Sequence, residues 1–192
     1  MSNLLTTAKG VITIRPAVPD DAPLLRELRL EALAGHPDAF GSDHASAAAE
    51  PVEVWVERIA KNASDHQGVI CVASTENQLI GMTGLVCGNR PKTRHSGTIW
   101  GVYVKADWRG FQVAEALVQG CIAWAQAQGL VMVKLAVVTT NTAAIRCYAR
   151  CGFTIYGLEP KVIYYNDVFY DELLMAKPIC GGKVLVDGQV GG

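Results

Sequence analysis

Two spacings of apolar residues, every second position and every third or fourth, divide this chain into short alternating elements. Residues 11–16 (VITIRP) alternate and predict a first strand. Pro19-Asp20-Asp21-Ala22-Pro23 signals a helix start with an aspartate available as N-cap. That helix is expected to run to about Ala34, turning Leu25, Leu28 and Ala32 inward and Arg26, Arg29 and Glu31 elsewhere. The stretch 36–42 breaks the pattern, and a polar or alanine-rich loop is expected after it. Residues 51–62 return to helical spacing, with Val52, Trp55, Val56, Ile59 and Ala60 on one stripe.

Two strands follow, 69–75 and 79–87, joined by Glu76-Asn77-Gln78 in a short polar connection that suits a hairpin. A loop over 88–96 leads into an apolar, β-branched run at 98–104, which reads as a buried strand. The chain then turns through 105–109 into a long helix expected to open at Arg109, with Val113, Leu117, Cys121, Trp124 and Ala125 facing one core and Gly129 as its stop. Residues 131–139 predict another buried strand, 142–151 a helix closed by Gly152, and 153–158 and 168–177 two final strands, with a turn around Asn166-Asp167. The strand–helix–strand crossover makes 98–104 and 131–139 parallel neighbours, while hairpins elsewhere make the sheet mixed.

Composition narrows the class. At 192 residues, with 50% hydrophobic and 18% charged, the chain suits one domain with a sizeable core. No internal repeat interrupts it; residues 1–10 read as a flexible N-terminus, 11–178 as the domain and 179–192 as a glycine-rich tail. A net charge of −1 gives no reason to expect nucleic acid or an anionic membrane surface as partner. No apolar run reaches membrane-span length and the first residues lack a signal-peptide core, so a cytoplasmic location is expected. The six cysteines form no C-x-x-C pair and fall mostly within apolar patterns, where cysteine packs as a small hydrophobe. Four scattered histidines show no metal spacing, and no metal is expected.

The stretch 98–129 carries the candidate chemistry. A strand running into a helix N-terminus offers free backbone N–H groups and the positive end of the helix dipole, a setting for phosphates. Arg109 adds a formal charge there. The pattern is neither a P-loop nor a G-x-G-x-x-G dinucleotide fingerprint.

Arg109-Gly110-x-x-x-Ala114, following Val102-Tyr103-Val104, resembles the Q/R-x-x-G-x-G/A acetyl-CoA signature of the GNAT N-acetyltransferases. The segment from Asn141 through Ala144 and Tyr148 to Gly152-Phe153 resembles the N-x-x-A-x-x-x-Y-x-x-x-G-F block of the same family. The resemblance spans residues 11–178. It implies a single-domain α/β GNAT-like fold: a mixed, mostly antiparallel sheet of about six to seven strands, flanked by about four helices. It also implies that the parallel pair splays apart at its C-terminal ends, with the pantetheine arm of acetyl-CoA in the gap.

By that resemblance, backbone groups of Val102, Tyr103 and Val104 serve pantetheine and the thioester carbonyl, where a backbone N–H stabilises developing negative charge. Arg109, Gly110, Phe111, Gln112, Val113 and Ala114 cradle the pyrophosphate. Gln112 departs from the family, which has glycine there; if the position needs positive φ, a side chain costs about 1–2 kcal/mol, and in ordinary helix it adds only bulk near the phosphates. Ala106, where the family often has proline, is a milder departure. Asn141 suits a helix N-cap and, in the family, also a cofactor contact, beside the small Ala144. Tyr148 matches the tyrosine that donates a proton to the departing CoA thiolate.

The general base is not legible: 98–104 contains no acid, Glu31, Asp43, Glu50 and His95 lie in segments expected to edge the acceptor site, and a water chain needs none of them. The basic loop 90–95 and Tyr164, Tyr165 and Tyr170 read first as solvated or packing residues. The expected activity is acetyl transfer from acetyl-CoA to the amine of a small molecule by direct attack in a ternary complex. Alternatives are a protein N-terminus or lysine as acceptor, or a catalytically silent acyl-CoA sensor. Such proteins often pair, which makes a homodimer a further expectation.

Overall fold

The computed structural model describes residues 3–65, 67–76 and 78–179. Its eight strands form one sheet in the order β1-β2-β3-β4-β5-β6-β8-β7, with β1 Asn3–Thr7, β2 Gly10–Pro16, β3 Gly68–Ser74, β4 Leu79–Cys87, β5 Ser96–Val104, β6 Met132–Val138, β7 Thr154–Tyr165 and β8 Val168–Pro178. All neighbours pair antiparallel except β5 and β6. Five α-helices accompany it: α1 Ala22–Gly35, α2 His44–Ala49, α3 Val52–Asp65, α4 Val113–Ala127 and α5 Thr142–Arg150. None of the described helices is long and apolar enough to cross a membrane.

The centre of the sheet, β3 and β4, is buried on both faces, which explains why these strands read as unbroken apolar runs. Successive β3 residues point to opposite sides. Val69, Cys71 and Ala73 join Leu117, Val118, Cys121 and Ile122 of α4 in one core. Ile70 and Val72 join Leu25 and Leu28 of α1 and Trp55 and Ile59 of α3 in the other. Leu117 is wholly buried, and truncating such a leucine to alanine costs about 2–5 kcal/mol.

Several elements differ from the sequence reading. Asn3–Thr7, within the stretch read as a flexible N-terminus, is strand β1, paired with β2 through a turn in which Gly10 takes φ +119. The expected loop after 42 contains α2, because Asp43 accepts a hydrogen bond from the Ser46 N–H at 2.8 Å and caps an alanine run. The aspartate expected to cap α1 instead turns back: Asp21 accepts from the Val18 N–H and from both terminal nitrogens of Arg15. Strand β7 continues past 158 to Tyr165; Pro160 and the left-handed Lys161 interrupt the alternation without ending the pairing. The turn around Asn166-Asp167 is a tight hairpin with both residues at positive φ. Among the described residues the strands thus number eight and the α-helices five, where about six to seven and about four were expected. Ile179, counted with the tail, is buried and donates its N–H to the Val131 carbonyl; His66, Asn77, Cys180 and the rest of the tail lie outside the described residues.

Candidate active site

The parallel ladder between β5 and β6 is short. It pairs Ser96 with Met132, Gly97 with Val133 and Thr98 with Lys134, and then stops. β6 stays with β8 as far as Val138, while β5 stays with β4 as far as Val104. The two strands therefore part beyond Thr98, and a cavity of about 820 Å³ opens between Ile99–Val104 on one side and Leu135–Val138 on the other.

A bulge in β5 shapes this wall. Between the pairs Met82–Tyr103 and Gly84–Trp100, Thr83 on β4 faces two residues on β5, Gly101 and Val102. Gly101 has φ +65, a left-handed conformation that a side chain resists. The buried Thr83 hydroxyl donates to the Trp100 carbonyl at 3.1 Å and so satisfies a group next to the bulge. Across from it the Trp100 ring lies so close over Gly84 that a Cβ there would sit 2.2 Å from the ring. Neither Gly101 nor Thr83 is singled out by the sequence; the one available signal is a glycine inside an otherwise apolar strand.

At the far end of the cavity the chain enters α4 later than its pattern suggests. Helix α4 begins at Val113, not Arg109, because Gly110 (φ +83) and Gln112 (φ +61) both take left-handed backbone. The position does require positive φ, and a glutamine holds it. The first intrahelical bond runs from the Ala116 N–H to the Gln112 carbonyl, and no side chain caps the helix. The N–H groups of its first turn thus lack intrahelical partners at the cavity edge, in the dipole's positive field. Space around Gly110 is open: a Cβ there would meet nothing within 4 Å. These features fit a phosphate-bearing group.

Of the expected site residues, Val102, Tyr103, Val104, Arg109, Gly110, Gln112, Val113, Ala114, Asn141, Ala144 and Tyr148 all line the cavity. Phe111 does not; its ring turns toward Trp108, and the Lys9 ammonium lies 5.4 Å from it. Arg109 lines the cavity but faces β5: its Nε donates to the Val104 carbonyl at 3.1 Å, Nη2 lies 2.9 Å from His36 Nε2, and its guanidinium rests on the Tyr103 ring. Asn141 caps α5, its Oδ1 accepting from the Ala144 N–H at 3.1 Å, and the residue lines the cavity.

Tyr148 is buried against Phe153, the ring centroids 6.3 Å apart in an edge-on contact. No described residue hydrogen-bonds its hydroxyl. Burial, reinforced by the neighbouring Cys147 and Cys151, pushes its pKa well above the ordinary phenol value, so the group holds its proton. Tyr103 behaves differently. Its hydroxyl donates to Glu31, and burial together with that carboxylate pushes its pKa up to about 12.

Among the base candidates, Glu31 is bound by Tyr103 and by Lys105. Asp43 and Glu50 line a second cavity of about 600 Å³, which shares only Trp100 with the lining of the first. His95 lies exposed in the loop before β5 and lines neither. Tyr164, Tyr165 and Tyr170 belong to the β7–β8 hairpin, away from the cavity lining. Cys71, Cys121, Cys147 and Cys151 are buried and form no disulfide. No group of three or more histidine, cysteine or acidic residues among the described residues could hold a metal ion.

The profile of the Acetyltransferase (GNAT) family matches residues 28–153. The L-amino acid N-acetyltransferase AaaT of Escherichia coli K12 is 27% identical over 128 residues, covering 65% of this chain and 75% of that protein. The L-methionine sulfoximine/L-methionine sulfone acetyltransferase of Pseudomonas paraeruginosa PA7 is 31% identical over 134 residues, covering 68% and 77%. Among solved structures, an acetyltransferase of the GNAT family from Streptococcus pneumoniae superposes with TM-score 0.78 at 27% identity over 88% of this chain and 99% of that one. A phosphinothricin acetyltransferase from Sinorhizobium meliloti in complex with AcCoA has the same fold, with TM-score 0.75 at 18% identity over 90% of each chain.

Proposed function

This chain belongs to the GNAT acetyltransferase family, and from that premise we propose that it moves an acetyl group from acetyl-CoA to the amine of a small molecule within one ternary complex. The observation that carries the reading is the early end of the β5–β6 ladder, which leaves a cleft with unpaired strand backbone on one wall, a free helix N-terminus at its end and a buried tyrosine facing in. The curated relatives named for amino acids and methionine sulfoximine support a small-molecule acceptor.

Acetyl-CoA supplies a thioester whose carbonyl carbon an unprotonated amine attacks. The α4 N-terminus, through the N–H groups after Gln112, holds the diphosphate. Backbone N–H groups beyond the Gly101 bulge, which β6 no longer engages, hydrogen-bond the acyl carbonyl and favour the charge that builds on its oxygen. Tyr148 directs its O–H toward the leaving sulfur. With the phenol pKa above that of a thiol, full proton transfer is uphill, and a hydrogen bond that strengthens as the sulfur gains charge is sufficient. A cytoplasmic location, where acetyl-CoA and reduced cysteines coexist, accords with the buried thiols of this fold.

The test is free-thiol release from acetyl-CoA against amino acids, polyamines, aminoglycosides and short peptides, with the acetylated product identified by mass. Release matched by an N-acetylated small molecule is expected. Acetyl-CoA binding without release by any amine would instead establish a silent acyl-CoA sensor.

A further inference from the structure

Arg29 Nη1 is the one buried side-chain nitrogen or oxygen among the described residues without a hydrogen-bond partner. It lies on α1, behind the bulged part of β5: a Cβ placed on Gly101 would be 3.5 Å from it. Its guanidinium stacks at 4.9 Å on Phe40, which lines the main cleft beside Gly101. Arg29 itself lines the second cavity, which shares Trp100 with the lining of the cleft.

Its surroundings do not neutralise it. Burial and the neighbouring Arg58 charge both press against its own charge, yet a guanidinium stays protonated in proteins. The carboxylates that line the same cavity are committed elsewhere: Asp43 caps α2, and Glu50 pairs with Arg58 at 3.8 Å. Arg26 is spent on the Ala48 and Glu50 carbonyls. An unpaired buried cation is costly, and a planar guanidinium with a free edge matches a carboxylate.

We propose that Arg29 binds the carboxylate of the acceptor, so that the amine acetylated is the α-amine of an amino acid. The proposal rests on the reading of the cleft as the acetyl-transfer site. An α-amino acid carries amine and carboxylate on a single carbon. With its carboxylate on Arg29 behind Gly101, its amine comes to Val102, the next residue, whose backbone faces the acyl group in that reading. Glycine at 101 leaves no side chain between β5 and Nη1, since a Cβ there would come within 3.5 Å of it. Polyamines and aminoglycosides, which bring only positive charge, are repelled by Arg29 and Arg58.

The experiment compares wild type, Arg29→Gln and Arg29→Lys on L-amino acids, including L-methionine sulfone, and on the primary amide of each. Wild type is expected to favour acid over amide by about tenfold to a hundredfold in kcat/KM, the worth of a charge-assisted pair. Arg29→Gln should erase that preference mainly through KM, Arg29→Lys should restore part of it, and acetyl-CoA affinity should be the same in all three. Thermal shift by the amino acid but not its amide, seen in wild type and lost in Arg29→Gln, reads the same contact without turnover. A preference that survives in Arg29→Gln, or wild-type turnover of amides and acids alike, overturns the proposal while leaving acetyl transfer intact. If no amine is turned over, the transfer reading fails, and the thermal shift alone decides for or against Arg29.

Discussion

The Tyr103 hydroxyl donates a 2.9 Å hydrogen bond to Oε1 of Glu31, joining β5 to α1 across the wall of the cleft. Lys105 reaches the other carboxylate oxygen at 3.4 Å. Two tyrosines thus face the cavity with unlike commitments. Tyr103 is already hydrogen-bonded within the fold, whereas the Tyr148 hydroxyl is held by no described residue. Tyr103→Phe should therefore cost about 0.5–1.5 kcal/mol of stability and lower kcat less than about tenfold, far less than removal of a general acid. Chemical denaturation and initial rates check this, and a loss of kcat as large as that in Tyr148→Phe would make Tyr103 the acid.

Gln112 sits at φ +61, where a side chain costs about 1–2 kcal/mol. Gln112→Gly removes that strain but loosens the unfolded chain, which offsets about 0.4–1 kcal/mol. The expected sum is a gain of about 0–1.6 kcal/mol, with acetyl-CoA bound a few-fold more tightly once the backbone is uncovered. Denaturant midpoints and calorimetric titration measure both. A clear loss of stability would mean that the glutamine side chain contributes contacts beyond its backbone strain.

Asp21 ties the end of β2 to the start of α1 through Arg15 and the Val18 N–H. Burial raises its pKa, but the Arg15 hydrogen bonds, the Val18 N–H and the Arg15 charge outweigh that and hold it below the usual carboxylate range. The native state consequently binds this proton less readily than the unfolded chain. The resulting stability is present above the unfolded pKa of about 3.9 and is lost as pH falls through the folded value. Asp21→Asn should lower stability by about 1–2 kcal/mol at neutral pH and flatten the acid limb of the stability curve. An unchanged acid limb would assign that limb to other carboxylates.

The pH profile of turnover follows from the protonation of Tyr148. Burial, reinforced by Cys147 and Cys151, raises its pKa above the usual phenol value of about 10, so the hydroxyl keeps its proton through the range in which an amine nucleophile loses its own. The rate constant should climb with pH and level off, with no descending limb below about pH 10. A descending limb near pH 9 in wild type that vanishes in Tyr148→Phe would show the phenol ionising early.

Most of the sheet was legible because β3 and β4 are buried on both faces and read as apolar runs, β2 alternates, and the β7–β8 turn carries asparagine and aspartate. The 142–150 helix and its Asn141 cap could likewise be read from the sequence, since capping is a local interaction. Three kinds of feature were not. Strand β1 and helix α2 lack a strong apolar period and depend on a neighbour or on the Asp43 cap. The late start of α4 hangs on left-handed backbone at Gln112, a residue that does not announce it. The Gly101 bulge is set by the β4–β5 register, and the Glu31–Tyr103 bond and the orphaned Arg29 nitrogen arise only when α1 packs on β5, tertiary relationships that no local pattern fixes.

The most direct measurement of the central claim sets wild type beside Tyr148→Phe, recording thiol release with an accepted amino acid and acetyl-CoA affinity by calorimetry. The expected result is unchanged affinity and a rate lowered by about 10²–10⁴, because the variant keeps the cleft and loses only the proton donor. Equal rates in the two proteins would contradict the claim that transfer occurs in this cleft with Tyr148 as its acid.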